Sequence, residues 1–328
     1  MEVIALTGQY DPEIKALIAG MVPQGFILKE ISSVDEYDNL REVNYIILRI
    51  LSLNEKTINS IPNLKLIQRW GVGYDKVDVK AAGKRNIPVA ITPGMNAAAV
   101  SEMAVLLMLA VYRNLIRLHN NVLDGKWQED AGASSAYTID GKTVGLIGLG
   151  NIGKEVAQKV KAFGAEVQYY DAFKQSPEEE EKLGIKYVVL EELLKTSDIV
   201  SLHVPLLDST RHLICKENLA LMKPSAIIVN TARGPIIDEA DLVEALENRK
   251  ILGAGLDCLE NEPAAKNNPL FNLSNVVLAP HMGGSTIDIS VKMAKRCIDN
   301  ILKISKNESL PESDIVNAEY LANPKIKI

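Results

Sequence analysis

Three residues of complementary chemistry follow apolar runs in the second half of the chain. Arg233 closes IIVNTAR, Glu262 lies in GLDCLENEP and His281 lies in VVLAPHMGGS. A histidine near its ordinary pKa can take or give a proton at neutral pH. A carboxylate behind it would orient the ring and stabilise its protonated form, the logic of the Asp–His pair in hydrolases. A guanidinium can hold a carboxylate through two parallel hydrogen bonds and polarise an adjacent carbonyl. Such a set fits a 2-hydroxy or 2-oxo acid whose C2 exchanges hydride. Each run reads as a buried strand, and parallel strand ends converge on one sheet edge, where ligands bind.

A hydride acceptor is implied upstream. TVGLIGLGNIGKEVAQKVKAFGAEVQYYD reads as strand, glycine turn, helix, strand and acid. Gly148 permits the sharp turn, Gly150 has no side chain to block a pyrophosphate, and Gly153 lets the helix pack close. The helix N-terminus offers free N–H groups and partial positive charge to phosphates. Asp171 falls near the roughly 20-residue spacing expected of the acid that binds ribose hydroxyls. It would repel a 2′-phosphate, and no Arg follows it directly, so NAD is favoured over NADP. Of the other histidines, His119 and His212 read as structural. His203, before Val204-Pro205, is either structural or lines the adenine side of the cofactor site.

The elements that must position these residues form two α/β domains. Strands are expected at Val3–Leu6, Phe26–Lys29, Tyr45–Leu48, Lys65–Gln68 and Pro88–Ile91, with helices opening at Pro12, Val34 and Asn54. Such alternation predicts a parallel sheet covered on both faces. Two loops at its strand ends stand out, Trp70 to Asp75 and Thr92 to Asn96. One long apolar helix is expected from Ala97 to about Asn121, and irregular chain over Glu129–Asp140. After the glycine motif, strands are expected at Ile185–Val188, Ile199–His203, Ala226–Asn230, Gly253–Leu256 and Val276–Ala279. Helices lie between them, including Glu191–Lys195 and Asp238–Asn248. A second long helix, from Ser285 to about Ser305, returns the chain to the first domain, to which Ile315-Val316-Asn317 adds locally. The reading is therefore two Rossmann-like or flavodoxin-like domains with doubly wound parallel sheets and an interdomain cleft. The first, substrate-binding domain comprises residues 1–98 and 292–328, and the NAD-binding domain 99–291.

Composition agrees with a globular enzyme. Apolar residues make up 47% and charged residues 24%, so the chain can bury a core. The net charge of −6 gives no bulk attraction to nucleic acid or an anionic membrane. The acidic run Glu178–Glu181 reads as a solvated helix start. Cys215, Cys258 and Cys297 are odd in number and widely spaced, which argues against a zinc site or a disulfide framework and for reduced cytoplasmic thiols. The N-terminus reads as a strand rather than a signal peptide, and the longest apolar run, Met103–Tyr112, is too short for a membrane span.

GLIGLGNIG, HVPLLDSTRHLI, NTARGPIIDEADL, GAGLDCLENEP and APHMGGST resemble, in order, the signatures of the D-isomer-specific 2-hydroxyacid dehydrogenases. WGVGYDKVDVKAAGKRNIPVAITPGMNAAAVSE is similar to that family's substrate-domain loops and linking helix. The resemblance implies catalytic roles for Arg233, Glu262 and His281. It implies NAD contacts from Gly148, Gly150, Gly153, Val100, Asn151, Ile152, Asp171, His203, Val204, Pro205, Thr210, Thr231, Ala232, Asp257 and His281. Val72 and Gly73 amides and Asn96 would meet the substrate carboxylate, beside Arg233. A homodimer built on the dinucleotide domains is also implied. Asn151 replaces an Arg often found there, Met103 stands where some members carry His, and Trp70 and Tyr74 are bulkier than usual and would narrow the pocket. No sequence remains for a C-terminal regulatory domain, and Glu262 disfavours a formate-dehydrogenase-like variant. Arg49 and Arg69 are candidate ligands for a 3-phosphate, which would suit 3-phosphoglycerate. If neither serves, hydroxypyruvate or glyoxylate is the better substrate. The alternative is an NAD(H)-sensing scaffold or corepressor on the same fold.

Overall fold

Tyr45–Leu48, a central strand of the first sheet, is wholly apolar and buried, as expected where both faces of a parallel sheet are covered. The computed structural model describes residues 1–127 and 135–322. They divide into two compact units, Met1–Asn96 with Ser285–Ile328, and Ala97–Gly284. The first unit contains β1 (Glu2–Thr7), α1 (Pro12–Met21), β2 (Phe26–Ile31), β3 (Tyr45–Leu48), α2 (Glu55–Asn59), β4 (Leu66–Arg69), α3 (Val79–Lys84) and β5 (Val89–Ala90). All pairs are parallel, in the order β2-β1-β3-β4-β5. Every residue of β3 is buried. Asp11, Asn54 and Asp78 cap α1, α2 and α3 by accepting backbone N–H groups.

The segment expected to open a helix at Val34 is instead a 3₁₀ stretch, Val34–Glu42. Only Leu40 is buried there, so no apolar stripe of α period holds a longer helix. The tail closes the β5 edge. Ile315 bridges Ala90 in antiparallel fashion, and the Val316 N–H donates to the Val89 carbonyl.

In the second unit, α4 (Ala97–Tyr112) and α5 (Leu115–Leu123) precede β6 (Thr143–Ile147), α6 (Asn151–Ala162), β7 (Glu166–Tyr170), α7 (Pro177–Leu183), β8 (Lys186–Tyr187) and α8 (Leu190–Thr196). Then come β9 (Ile199–Leu202), α9 (Lys216–Leu219), β10 (Ile227–Asn230), α10 (Glu239–Glu247), β11 (Gly253–Leu256) and β12 (Val276–Leu278). The seven parallel strands run in the order β12-β11-β10-β9-β6-β7-β8. α4 lies against β11, where a Cβ on Gly255 would sit 2.9 Å from Leu107 Cβ.

The single long helix expected from Ala97 is broken. α4 and α5 meet at 63°, with Asn114 at φ +51° between them. Neither Gly nor Pro marks the bend; Asn supplies the left-handed residue. Of the irregular chain expected over Glu129–Asp140, residues 129–134 lie outside the described residues, and residues 135–140 hold no α-helix or strand. No single helix among the described residues is long and apolar enough to cross a membrane. The last helix, α11 (Ile287–Ser305), falls wholly in the first unit, so the second crossing lies at Gly284–Ser285 rather than near residue 292. Its buried Ala294, Cys297, Ile298 and Ile301 recur three or four residues apart and join the apolar cluster that contains Ile18 of α1 and Leu66 of β4.

Candidate functional site

Six strands of the second sheet end level. Ile147 pairs with Tyr170 and Leu202, Leu202 with Asn230, Asn230 with Leu256, and Leu256 with Leu278. The residues one step beyond are Asp171, Gly148, His203, Thr231, Asp257 and Ala279, so the candidates of the sequence share one edge. The strand order reverses between β6 and β9, at Gly148 and His203, where open α/β sheets bind ligands.

The glycine turn is shaped for an extended phosphate ligand. Gly148 has φ +98°, and a Cβ there would sit 2.7 Å from the His203 carbonyl carbon. A Cβ on Gly153 would reach 2.3 Å from the Gly148 oxygen, so the helix start could not close on the strand. At Gly150 a Cβ would meet nothing within 4 Å, leaving open space before the N-terminus of α6, which has no side-chain cap. The Asp171 carboxylate accepts from the Leu149 N–H at 2.7 Å and the Phe173 N–H at 2.9 Å, holding it beside that turn. Asn151 and Ile152 begin α6, with Asn151 exposed. Thr210 donates to the Pro205 carbonyl and accepts from the Leu207 N–H, which folds Val204–Thr210 back on itself. On adjacent strand ends, His203 Nδ1 and Thr231 Oγ1 are buried without a protein partner. Burial pushes the His203 pKa down to about 4. Val100 is buried in the first turn of α4. The open Gly150 face, the uncapped helix and these two orphaned polar atoms suit a bound dinucleotide.

Further along the edge, His281 Nδ1 lies 2.8 Å from Glu262 Oε2 and 3.0 Å from Oε1. Glu262 also accepts from the Leu259 N–H at 3.2 Å. His281 itself sits at φ +56°, uncommon for a residue with a Cβ. Its backbone is fixed through its own N–H to the Asp257 carbonyl, at 2.6 Å. Asp257, 2% exposed, accepts from the Met282 and Gly283 N–H groups, both at 2.8 Å. Burial nevertheless raises its pKa, against the lowering by those amides. Arg233 leaves β10 in a turn held by Asn230, whose side chain donates to the Arg233 carbonyl and accepts from the Ala232 N–H. The buried Cys258 thiol has its pKa raised by burial and by the Glu262 carboxylate, with Arg233 opposing, so both charges act on one point.

Sequence reasoning missed Asn230 and Gly283. The first makes a two-residue side-chain turn, a signal present in the Asn at a strand end. The second is packed so closely that a Cβ would lie 2.7 Å from Asp257 Oδ2, which the string MGGS alone does not reveal.

Arg49, Val72, Gly73 and Asn96 belong to the first unit, whose level strand ends Thr7, Leu48 and Arg69 precede Gly8, Arg49 and Trp70. Arg49 donates to the Gln9 carbonyl at 2.7 Å, lies 3.5 Å from Ser285 Oγ and stacks 5.2 Å from the Tyr10 ring centroid. Arg69 is buried and donates to the carbonyls of Gly73, Leu48 and Arg49. Trp70 packs edge-on against Tyr10 at 5.3 Å.

Residues 105–283 match the family model for the NAD-binding domain of D-isomer-specific 2-hydroxyacid dehydrogenases. The chain is 38% identical to a glyoxylate reductase of Thermococcus litoralis over 92% of its own length and 89% of the relative's. It is 42% identical to a hydroxypyruvate reductase of Thermotoga maritima over 80% of its length and 85% of the relative's. The D-lactate dehydrogenase of Aquifex aeolicus, solved with NAD and lactic acid, is similar with a TM-score of 0.86 at 27% identity, covering 96% of this chain and 99% of that one. A sheet edge fit for a dinucleotide, the His–carboxylate pair along it and these matches together show that the chain belongs to the D-isomer-specific 2-hydroxyacid dehydrogenases, NAD-dependent enzymes that move hydride to or from C2 of a D-2-hydroxy acid.

Proposed function

We propose that this enzyme reduces a small unphosphorylated 2-oxo acid of the glyoxylate or hydroxypyruvate type. The observation that carries the site is the His281–Glu262 contact on the edge that receives the dinucleotide. When bound, NADH supplies the hydride to C2. Glu262 keeps Nδ1 of His281 protonated and the ring oriented, so that Nε2 can deliver a proton to the substrate's O2 as the alkoxide charge develops. Arg233 pairs with the substrate carboxylate and polarises the 2-oxo group. In the first unit, the Val72 and Gly73 amides and Asn96 are proposed as carboxylate ligands on the strength of the family resemblance. Asp171 takes the ribose hydroxyls, the amides opening α6 take the pyrophosphate, and Asp257 takes the carboxamide. His203, Val204, Pro205, Thr210, Thr231, Ala232, Val100 and Ile152 line the remainder.

Substrate size follows from the two arginines considered for a 3-phosphate. Arg69 holds three backbone carbonyls, and Arg49 is engaged by Gln9, Ser285 and Tyr10. A dianionic phosphate would have to displace these contacts, which favours substrates without one. The named reductase relatives support the same choice, and nothing supports the scaffold alternative. The test is a panel of 2-oxo acids with NADH oxidation followed by absorbance. Highest kcat/KM on glyoxylate or hydroxypyruvate is expected; a clear preference for 3-phosphohydroxypyruvate would overturn the substrate assignment.

The working form we infer is a cytoplasmic homodimer. α5 buries none of its residues and exposes Leu115, Ile116, Val122 and Leu123, an apolar face that a second copy would cover. Its three cysteines are free, which suits a reducing compartment. Light scattering after gel filtration tests the dimer: a monomer mass at micromolar protein would reject it.

A further inference from the structure

We propose that His212 is a positioning residue for the reaction, acting through the loop that carries Glu262. This rests on the roles assigned above to Glu262, His281 and Arg233. His212 lies in the segment after β9, far along the chain from those residues, and its backbone occupies the left-handed region at φ +50°. Residues with a Cβ seldom adopt that conformation unless their surroundings demand it. Here the His212 N–H donates to the Pro235 carbonyl at 2.8 Å, and Ile214 bridges Ile237 in parallel. The histidine is thus laid alongside the stretch that follows Arg233.

Its side chain reaches the other catalytic loop. Nε2 donates to Glu260 Oε1 at 2.8 Å, and Nδ1 lies 3.5 Å from Asp238 Oδ2, the cap of α10. Glu260 is locked a second time, reciprocally with Glu239. The Glu260 N–H donates to Glu239 Oε2 at 2.9 Å, and the Glu239 N–H donates to Glu260 Oε2 at 3.2 Å. One imidazole therefore lies between two carboxylates, of Asp238 and Glu260, and Glu239 reaches it only through Glu260. It joins the start of α10 to the loop after β11.

Two contacts link that loop to the site. The N–H of Leu259, the residue before Glu260, donates to Glu262, and Glu262 contacts His281. On the opposite side, Gly234 packs so tightly that a Cβ would lie 1.9 Å from the Leu259 oxygen and 2.5 Å from the Glu260 nitrogen. The Arg233 turn and the Glu262 loop therefore share one backbone contact, and the His212–Glu260 bond clamps it. A lost clamp would let Glu262 move relative to His281 while both residues stayed present. Displacements of about an ångström at such a pair cost up to ~100-fold in rate.

The test compares His212→Leu, which removes the donor, with His212→Gln, whose amide can still donate to Glu260. Glu262→Gln is the reference. Steady-state rates are measured against pH with glyoxylate and NADH, together with NADH binding by fluorescence and thermal midpoints. His212→Leu is expected to lower kcat by about tenfold or more and to shift the pH profile in the same direction as Glu262→Gln. NADH affinity should stay within about twofold, and His212→Gln should recover most of the loss. If His212→Leu keeps the wild-type pH profile while Glu262→Gln moves it, the positioning role is overturned and the site assignment stands. A loss that merely tracks the thermal midpoint, with no recovery in His212→Gln, also overturns it. If Glu262→Gln leaves the pH profile and rate unchanged, the assignment of Glu262 fails, and the role of His212 fails with it.

Discussion

Asp257 shows how one side chain can fix several others. Its carboxylate draws in the amides of Met282 and Gly283, and its carbonyl holds His281, so the turn after β12 is built around the residue that follows β11. His281→Ala should therefore leave that turn standing, since its backbone partner is retained. The expected outcome is a kcat reduced by about 10²–10⁴-fold, with NADH affinity little changed; near-normal turnover would remove His281 from the proton-transfer role. His203 carries a different, pH-dependent signature. Burial lowers its pKa from 6.5 to about 4. Between those values the unfolded chain binds a proton that the folded ring refuses. Stability is thus fully present above pH 6.5 and declines as pH falls toward 4, by about 3 kcal/mol at most. His203→Asn should flatten the pH dependence of urea unfolding across this window. An unchanged slope would mean that His203 does not carry it.

Among elements, the strands were readable because a parallel sheet covered on both faces demands continuous apolar runs such as YIIL and IIVN. The glycine turn was readable because its spacing reflects contacts that only glycine permits. The break between α4 and α5 was not, because Arg113-Asn114 carries no Gly or Pro and the apolar residues continue across it. Nor was Val34–Glu42, whose composition suits a helix start but which has only Leu40 to anchor it. Packing information was equally hidden: His212 and Glu260 are 48 positions apart, and nothing in the string of a polar loop signals their contact. The break itself can be tested. Asn114 is the left-handed hinge, and its side chain donates to the Ser135 carbonyl. Asn114→Gly should change stability little, whereas Asn114→Val should lower it by about 1–2 kcal/mol, read as a fall in urea midpoint. Equal effects would show that the left-handed backbone is not what matters there.

At the scale of the whole molecule, each unit has its own sheet and buried clusters, so unfolding need not be a single transition. The first unit is closed by a charge cluster where α11 meets the tail. Asp314, fully buried, accepts two hydrogen bonds from Arg296 and one from Asn300. Burial alone would raise its pKa, but these donors outweigh it and hold the carboxyl below the ordinary 3.8. Its contribution is therefore present above that pH and is lost as pH falls further. Arg296→Met would strand the carboxylate and should destabilise the first unit by about 3 kcal/mol, seen as an earlier unfolding phase. A coincident, unshifted transition would show that the pair contributes little. The level strand ends of the second sheet also set a length. Five steps separate β7 from β12, about 24 Å at roughly 4.8 Å each. A ligand anchored at Asp171 must be that extended to influence chemistry at His281, so the sheet works as a ruler that a mononucleotide cannot span. AMP should accordingly compete with NADH yet leave 2-oxo acid binding independent, and mutual exclusion of AMP and the acid in inhibition kinetics would show that the two ends are not separate.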